Sequence, residues 1–156
     1  MVHCTFALTG FIRRVHRSGN TQAALKGITS LLVLIEGLDQ GAAKLGLTAD
    51  SIRTDVELKL RLAGIKILST KDRVVGNPCL YINVSVMENG LAANASVEFD
   101  QDVRLDRDTS IWLTGATTWE SAVLISNPSA RGVRDHIKDK IDLFLNAWLR
   151  ANPKSP

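Results

Sequence analysis

The sequence is poor in the residues that mark specialised classes of protein. Its 156 residues include only two cysteines, four prolines and 5% aromatic side chains. Two cysteines are too few for a disulfide-rich scaffold, and the low proline content excludes a collagen-like chain. The longest uncharged apolar runs, such as residues 27–35, are far shorter than the roughly 20 residues that cross a bilayer. These absences predict one ordinary globular domain without a membrane span and with reduced thiols at Cys4 and Cys79.

Positive charge is concentrated at the N-terminus. Residues 1–30 contain four basic residues and no acidic one, a charge of +4, whereas the rest contains 15 Lys or Arg against 16 Asp or Glu, a charge of −1. We therefore divide the chain into a basic N-terminal segment, 1–27, and one domain, 28–153. The arginines of this segment could contact phosphates, but the balanced charge of the domain disfavours nucleic acid as the partner.

Hydrophobic periodicity predicts two amphipathic helices. The first begins with Thr48 as its N-cap, places Ile52, Val56 and Leu60 on one face, and ends at Gly64. The second follows an Asn-Pro-Ser cap and ends before an Asn-Pro pair. Its apolar positions repeat every three or four residues: Val133, Ile137, Ile141, Phe144 and Trp148.

The remaining patterns predict strands. Residues 28–37 are almost all apolar, which indicates a central strand buried on both faces, and a short strand follows the first helix at 65–68. Residues 80–86 and 93–100 alternate around Asn89–Gly90, a pair that favours a type I′ hairpin turn. A further strand occupies 109–126, with Gly115 as a bend or bulge.

The order of these elements is β-α-β-β-β-β-α, and the N-terminal 26 residues, which show no clean period, leave open an extra element there, a short helix or an arm. Strands grouped between two amphipathic helices are typical of an α+β fold. We predict a largely antiparallel sheet of four to five strands, with both helices packed on one face.

No recognisable motif assigns a reaction to the chain. Phosphate-binding loops, dinucleotide-binding glycine patterns and nucleophile elbows do not occur, and the three histidines include no pair at metal-ligand spacing. Acidic residues between 98 and 108 could bind Ca²⁺, but Arg104 and Arg107 among them favour a solvated strand face. We predict no catalytic residue, no metal and no cofactor, and an enzyme is the less favoured class.

Aromatic and polar residues on the predicted strands are the best candidates for a binding site. Trp112 and Trp119 lie among threonines and could line a groove, although one of them could equally fill the core. Tyr81 and Asn83 occupy the solvated positions of the hairpin. These four residues are the predicted site of a non-catalytic binding or assembly module. It would engage a protein or a small ligand through the open face of the sheet or an edge strand.

Two other functions stay open at this point. The first is a small enzyme or ligand-binding protein whose site forms at a homo-oligomer interface, with Asp55, His136 or Trp119 contributing. Asp55 is explained more simply by a half-buried ion pair with Lys59. The second is nucleic-acid binding by the basic segment, through three residues: Arg13, Arg14 and Arg17.

Several short segments resemble a group of small bacterial proteins of unknown function. The segments are Gly46–Thr48, Thr54–Arg61, Ala63–Ile65, Leu80–Val84, Val103–Leu105, Thr118–Trp119 and Asn152–Pro153. The resemblance covers about 28–153 and implies a single α+β domain without known catalytic residues. The order of elements is also similar to that of small modules attached to bacterial envelope transport machinery, an analogy of fold alone.

The N-terminal segment departs from that group. Its members often carry a signal peptide ahead of the first strand, whereas the arginines here follow the apolar stretch instead of preceding it. We therefore predict a cytoplasmic protein, with the cell envelope or periplasm as the alternative. The unusual N-terminus also suggests a gene carried on a mobile element.

Overall fold

The computed structural model describes residues 20–153, which form four helices and five strands. In chain order these elements are α1 (Asn20–Ala23), β1 (Ser30–Ile35), α2 (Gln40–Lys44), α3 (Ala49–Leu62), β2 (Lys66–Leu68), β3 (Cys79–Val86), β4 (Ala92–Leu105), β5 (Asp108–Ser126) and α4 (Ala130–Ala151). No helix in this part of the chain is both long and apolar enough to cross a membrane.

The strands form one mixed sheet in the order β2-β1-β3-β4-β5. β1 runs parallel to β2 and β3, whereas β3, β4 and β5 are antiparallel hairpin neighbours. The predicted α+β fold with a mostly antiparallel sheet is therefore confirmed. The short helix α1 lies within the N-terminal residues for which the sequence leaves open a short helix or an arm, whereas α2 was not predicted, because five residues are too few to show a helical period.

The alternating strands of the central hairpin divide the sheet into two faces. Leu80, Ile82 and Val84 of β3 are buried, as are Ala93, Ala95, Val97 and Phe99 of β4. The intervening residues are exposed or half-buried. We call the side that carries Tyr81, Asn83 and Glu98 the open face. Helices α3 and α4 turn their buried stripes toward the opposite face.

Both long helices begin and end where the sequence predicts. Thr48 caps α3 by accepting a hydrogen bond from the Ser51 N–H at 3.2 Å, and Gly64 follows the helix with φ +92°. Ser129 caps α4 in the same way, accepting from Gly132 N at 3.1 Å. N-terminal to the predicted domain boundary, Leu25 is fully buried in the core.

Two ion pairs join α3 to α4. The Arg134 guanidinium donates two hydrogen bonds to the Asp55 carboxylate, at 2.8 and 2.9 Å, and Lys59 Nζ lies 2.6 Å from an oxygen of Asp142. The bonds from Arg134 hold the pKa of Asp55 below its ordinary value. Asp55 is therefore part of a half-buried ion pair, but its partner comes from the other helix and not from Lys59.

The first strand differs from its prediction. Leu31 and Val33 are buried, but Leu34 is 42% exposed, so β1 is covered by the helices on one face only. The prediction of burial on both faces was wrong, because an apolar run does not reveal whether a second layer exists.

The turn between β3 and β4 also differs. Gly90 has φ +70°, but Asn89 does not have a positive φ, so the type I′ prediction was wrong. Instead, the Gly90 N–H donates to Met87 O at 2.8 Å and closes a longer loop. The predicted irregularity at Gly115 is confirmed, because φ is +64° there and the β4–β5 register shifts beside it.

Candidate functional site on the open face of the sheet

Tyr81 lies at the centre of the open face. The strand register places Leu34 of β1 on one side of it and Glu98 of β4 on the other, and Glu120 of β5 continues the same row. Because paired residues project from the same side of a sheet, these four side chains form a line across the face.

A single carboxylate joins the polar residues of β3. Glu36 follows β1 directly, and its N–H donates to Ile82 O at 2.9 Å, which places its side chain between those of Tyr81 and Asn83. The Tyr81 hydroxyl and the Asn83 amide both donate hydrogen bonds to the Glu36 carboxylate. Sequence analysis identified the two donors but missed the acceptor.

The hydrogen bond to Glu36, followed by partial desolvation and the charges of Glu36, Glu98 and Asp100, raises the pKa of Tyr81 to about 12. The strand segments that form this part of the sheet, 30–35, 79–86, 92–100 and 117–126, contain no Lys or Arg. The centre of the open face, from β1 to β5, is therefore acidic, although Lys66 lies on the edge strand β2 and the chain as a whole is basic.

The Tyr81 hydroxyl provides a direct optical test of this arrangement, because the chain contains no other tyrosine. We expect tyrosinate absorbance to appear with a midpoint near pH 12 in the folded protein. An unperturbed phenol ionises near pH 10. The folded state thus keeps a proton that the unfolded state loses, so this group's contribution to stability is present below about pH 10 and declines as the pH rises toward 12.

The matched variants are Glu36→Gln and Glu88→Gln. The first removes the charge that accepts from Tyr81 and should lower the midpoint. The second removes an exposed charge in the β3–β4 loop and should leave it unchanged. A native midpoint near 10, with circular dichroism showing a folded protein, would contradict the Glu36–Tyr81 contact.

A second polar anchor lies at the end of β3. One Asp39 oxygen accepts from Ala42 N at 2.7 Å and so caps α2, while the other accepts from Val86 N at 2.8 Å and the Ser85 hydroxyl at 3.2 Å. These hydrogen bonds lower the pKa of Asp39. The carboxylate therefore holds the start of α2 against the end of the sheet.

Trp119 lies on the helix-covered side of the sheet. It pairs with Phe99, and its ring meets that of Phe144 edge-on with 5.3 Å between centroids. Its half-buried side chain also borders a shallow groove of about 300 Å³, which Thr117, Thr118 and Glu120 help to line. Trp119 therefore fills the core, as one interpretation of the sequence held, and also lines a groove, as the other held, because one side of its ring is packed and another side is accessible.

Trp112 lies far along the β4–β5 hairpin. β3 pairs with β4 only as far as Asp100, so β4 and β5 continue beyond the rest of the sheet as a two-stranded arm. On this arm the Arg104 guanidinium lies 4.9 Å from the Trp112 ring centroid, a cation–π contact, and Trp112 is 48% exposed. The structure therefore brings Tyr81 and Asn83 together but separates them from both tryptophans.

The acidic residues of this hairpin have local roles. Asp102 accepts from Asn77 Nδ2 at 2.7 Å and from Gly115 N at 3.2 Å, Asp100 accepts from the Thr117 hydroxyl, and Asp108 accepts from Ser110. Among residues 20–153, no group of three His, Cys, Asp or Glu side chains is placed to hold a metal ion. The nucleic-acid candidates Arg13, Arg14 and Arg17 lie outside the described residues.

Comparisons with known proteins give little guidance. No protein-family model matches the chain, and no curated protein matches it. Among solved structures, the chain is similar to a minor lipoprotein from Acinetobacter baumannii, with 12% identity and a TM-score of 0.41 over 84% of this chain and 99% of that one. A likeness this distant supports no statement about function.

Proposed function

We propose that this protein is a non-catalytic binding module whose open face engages a Lys- or Arg-rich segment of a partner protein. The observation that carries the proposal is the acidic centre of that face. There, Tyr81 and Asn83 converge on the Glu36 carboxylate, and Glu98 and Asp100 lie close enough to raise the Tyr81 pKa further.

The charge distribution selects the chemistry of the partner. The central segments of the open face, 30–35, 79–86, 92–100 and 117–126, carry carboxylates and no Lys or Arg, so they attract cations from a distance and repel acidic surfaces. The Glu36 network also holds the polar side chains in place, which reduces the conformational entropy lost on binding. A guanidinium or ammonium group would find carboxylate oxygens here in neighbouring strands.

The test measures binding of a labelled hexa-arginine peptide to the full chain at low ionic strength, with an uncharged hexa-serine peptide as the negative control. We expect salt-sensitive binding of the first peptide only. The double variant Glu98→Gln, Asp100→Asn should bind about fivefold more weakly, because each partly exposed charge pair contributes roughly 0.5 kcal/mol.

The matched control is Glu88→Gln, which removes one charge outside the open face and should bind like the wild type. Equal affinity for the double variant and the wild type would place cation binding elsewhere and overturn the proposal. So would the absence of hexa-arginine binding at low salt.

Membership of the small bacterial α+β proteins that the sequence resembles forms part of this proposal, and it rests on the segments quoted above. A cytoplasmic location is proposed on the order of charge and apolar residues at the N-terminus. The alternative location is the cell envelope.

A further inference from the structure

The two edges of the sheet are unequal. β2, at one end, has three residues, whereas β5, at the other, has nineteen. The part of β5 between 119 and 126 pairs with β4 in regular register, from Trp119 opposite Phe99 to Ser126 opposite Ala92. Among residues 20–153, no strand pairs with its outer edge. This stretch is therefore the longest regular edge in the described fold.

The hydrogen-bond phase of the ladder shows which backbone groups point outward. Asn127 N donates to Leu91 O at 2.8 Å. Because every second residue of an antiparallel strand bonds the same neighbour, Ile125 and Val123 also direct their N–H and C=O groups toward β4. The alternate residues Ala122 and Leu124 direct theirs away from β4. A second strand laid along this edge would meet correctly spaced donors and acceptors.

The side chains beside those groups are apolar and accessible. Leu124 is 77% exposed, and Leu91 and Met87, next to the same end of the hairpin, are 61% and 55% exposed. Natural edge strands are commonly protected by lysine or proline, but residues 108–126 contain neither. The irregularities near Thr118 and Gly115 lie before this stretch and leave its register uninterrupted.

We propose that a second copy of this chain pairs with this edge, β5 against β5 in antiparallel orientation, to form a symmetric dimer with a continuous ten-stranded sheet. A two-fold axis at Val123 would place Leu124 of each copy opposite Ala122 of the other and Glu120 opposite Ser126. This register satisfies the outward backbone groups, pairs apolar side chains with each other and keeps like charges apart.

A second copy fits this edge for three reasons. It supplies a strand of the same length and outward hydrogen-bond phase, it brings Leu124 against Ala122 of the other copy, and it leaves all helices on the same side of the joint sheet. Strand pairing of this length buries less surface than a standard stable interface. The dimer should therefore be reversible and depend on concentration.

The test is sedimentation velocity of the full chain from micromolar to submillimolar concentration. The diagnostic variant is Leu124→Lys, which adds a charge to the outer edge. The matched control is Leu62→Lys, which adds the same charge at the end of α3, where the side chain is 79% exposed. Wild type and control should dimerise, and L124K should dimerise at least about tenfold more weakly, because the lysine replaces the apolar side chain that lies opposite Ala122 of the other copy and because lysine on an edge strand disfavours pairing.

A second variant tests the backbone contribution. Ala122→Pro removes one outward N–H without removing a donor of the β4 ladder, and it should also weaken the dimer, with circular dichroism reporting that the fold is kept. A monomer at every concentration overturns the proposal, whether the edge is occupied by another segment or by a different protein. Equal dimerisation strength of the L124K and L62K variants also overturns the proposal. Neither result bears on cation binding by the open face, which is measured separately.

Discussion

Replacing Phe144 by alanine should lower the free energy of unfolding by about 3–5 kcal/mol. Phe144 is fully buried in α4, where its ring lies 5.6 Å from that of Phe99 and 5.3 Å from that of Trp119. The substitution removes the aromatic side chain that connects the long helix to β4 and β5 at once. The cavity can close only partly, because the neighbouring side chains are held by strands on one side and by the helix on the other.

Denaturant unfolding followed by circular dichroism measures this loss. The matched control is Leu143→Ala, one residue earlier on the same helix, where the side chain is 50% exposed. The control should cost less than about 1 kcal/mol, because half of its apolar area is already in water. A loss below that value for Phe144→Ala would mean that the helix does not pack on the sheet through this ring.

Replacing Gly41 by alanine should destabilise the protein by about 2–3 kcal/mol through overpacking. A Cβ atom at this position would lie 2.5 Å from Val86 O and 2.9 Å from Val86 Cβ. Val86 cannot move aside easily, because it belongs to β3 and its N–H donates to Asp39. The start of α2 would have to shift instead, which would strain the hydrogen bonds that Asp39 accepts from Ala42 N and Val86 N.

The control for this prediction is Gly37→Ala. A Cβ at Gly37 has no neighbour within 4 Å, and its φ is not in the left-handed region, so the substitution should be neutral or slightly stabilising. Thermal unfolding of the two variants side by side separates the effect of close packing from the general effect of adding a methyl group. Equal melting temperatures for both variants would show that α2 does not approach Val86 as described.

The amino-acid sequence by itself determined the elements whose signals are local. The apolar stripes of α3 and α4, the caps at Thr48 and Ser129, and the alternation of β3 and β4 follow from helical and strand periods and from hydrogen bonds within three or four residues. Tyr81 and Asn83 could be assigned to the solvated face by the same alternation. The α+β class followed from the order of these elements.

Only the tertiary structure decided which distant residues meet. The parallel placement of β1 beside β3 brings Glu36 next to Asn83, 47 positions away. The packing of α3 on α4 allows Asp55 to form an ion pair with Arg134, 79 positions away. It also decided that Trp119 faces the helices and Trp112 extends on the hairpin arm. Periodicity describes one element at a time, whereas strand order and helix packing arise from burying the faces of all elements together.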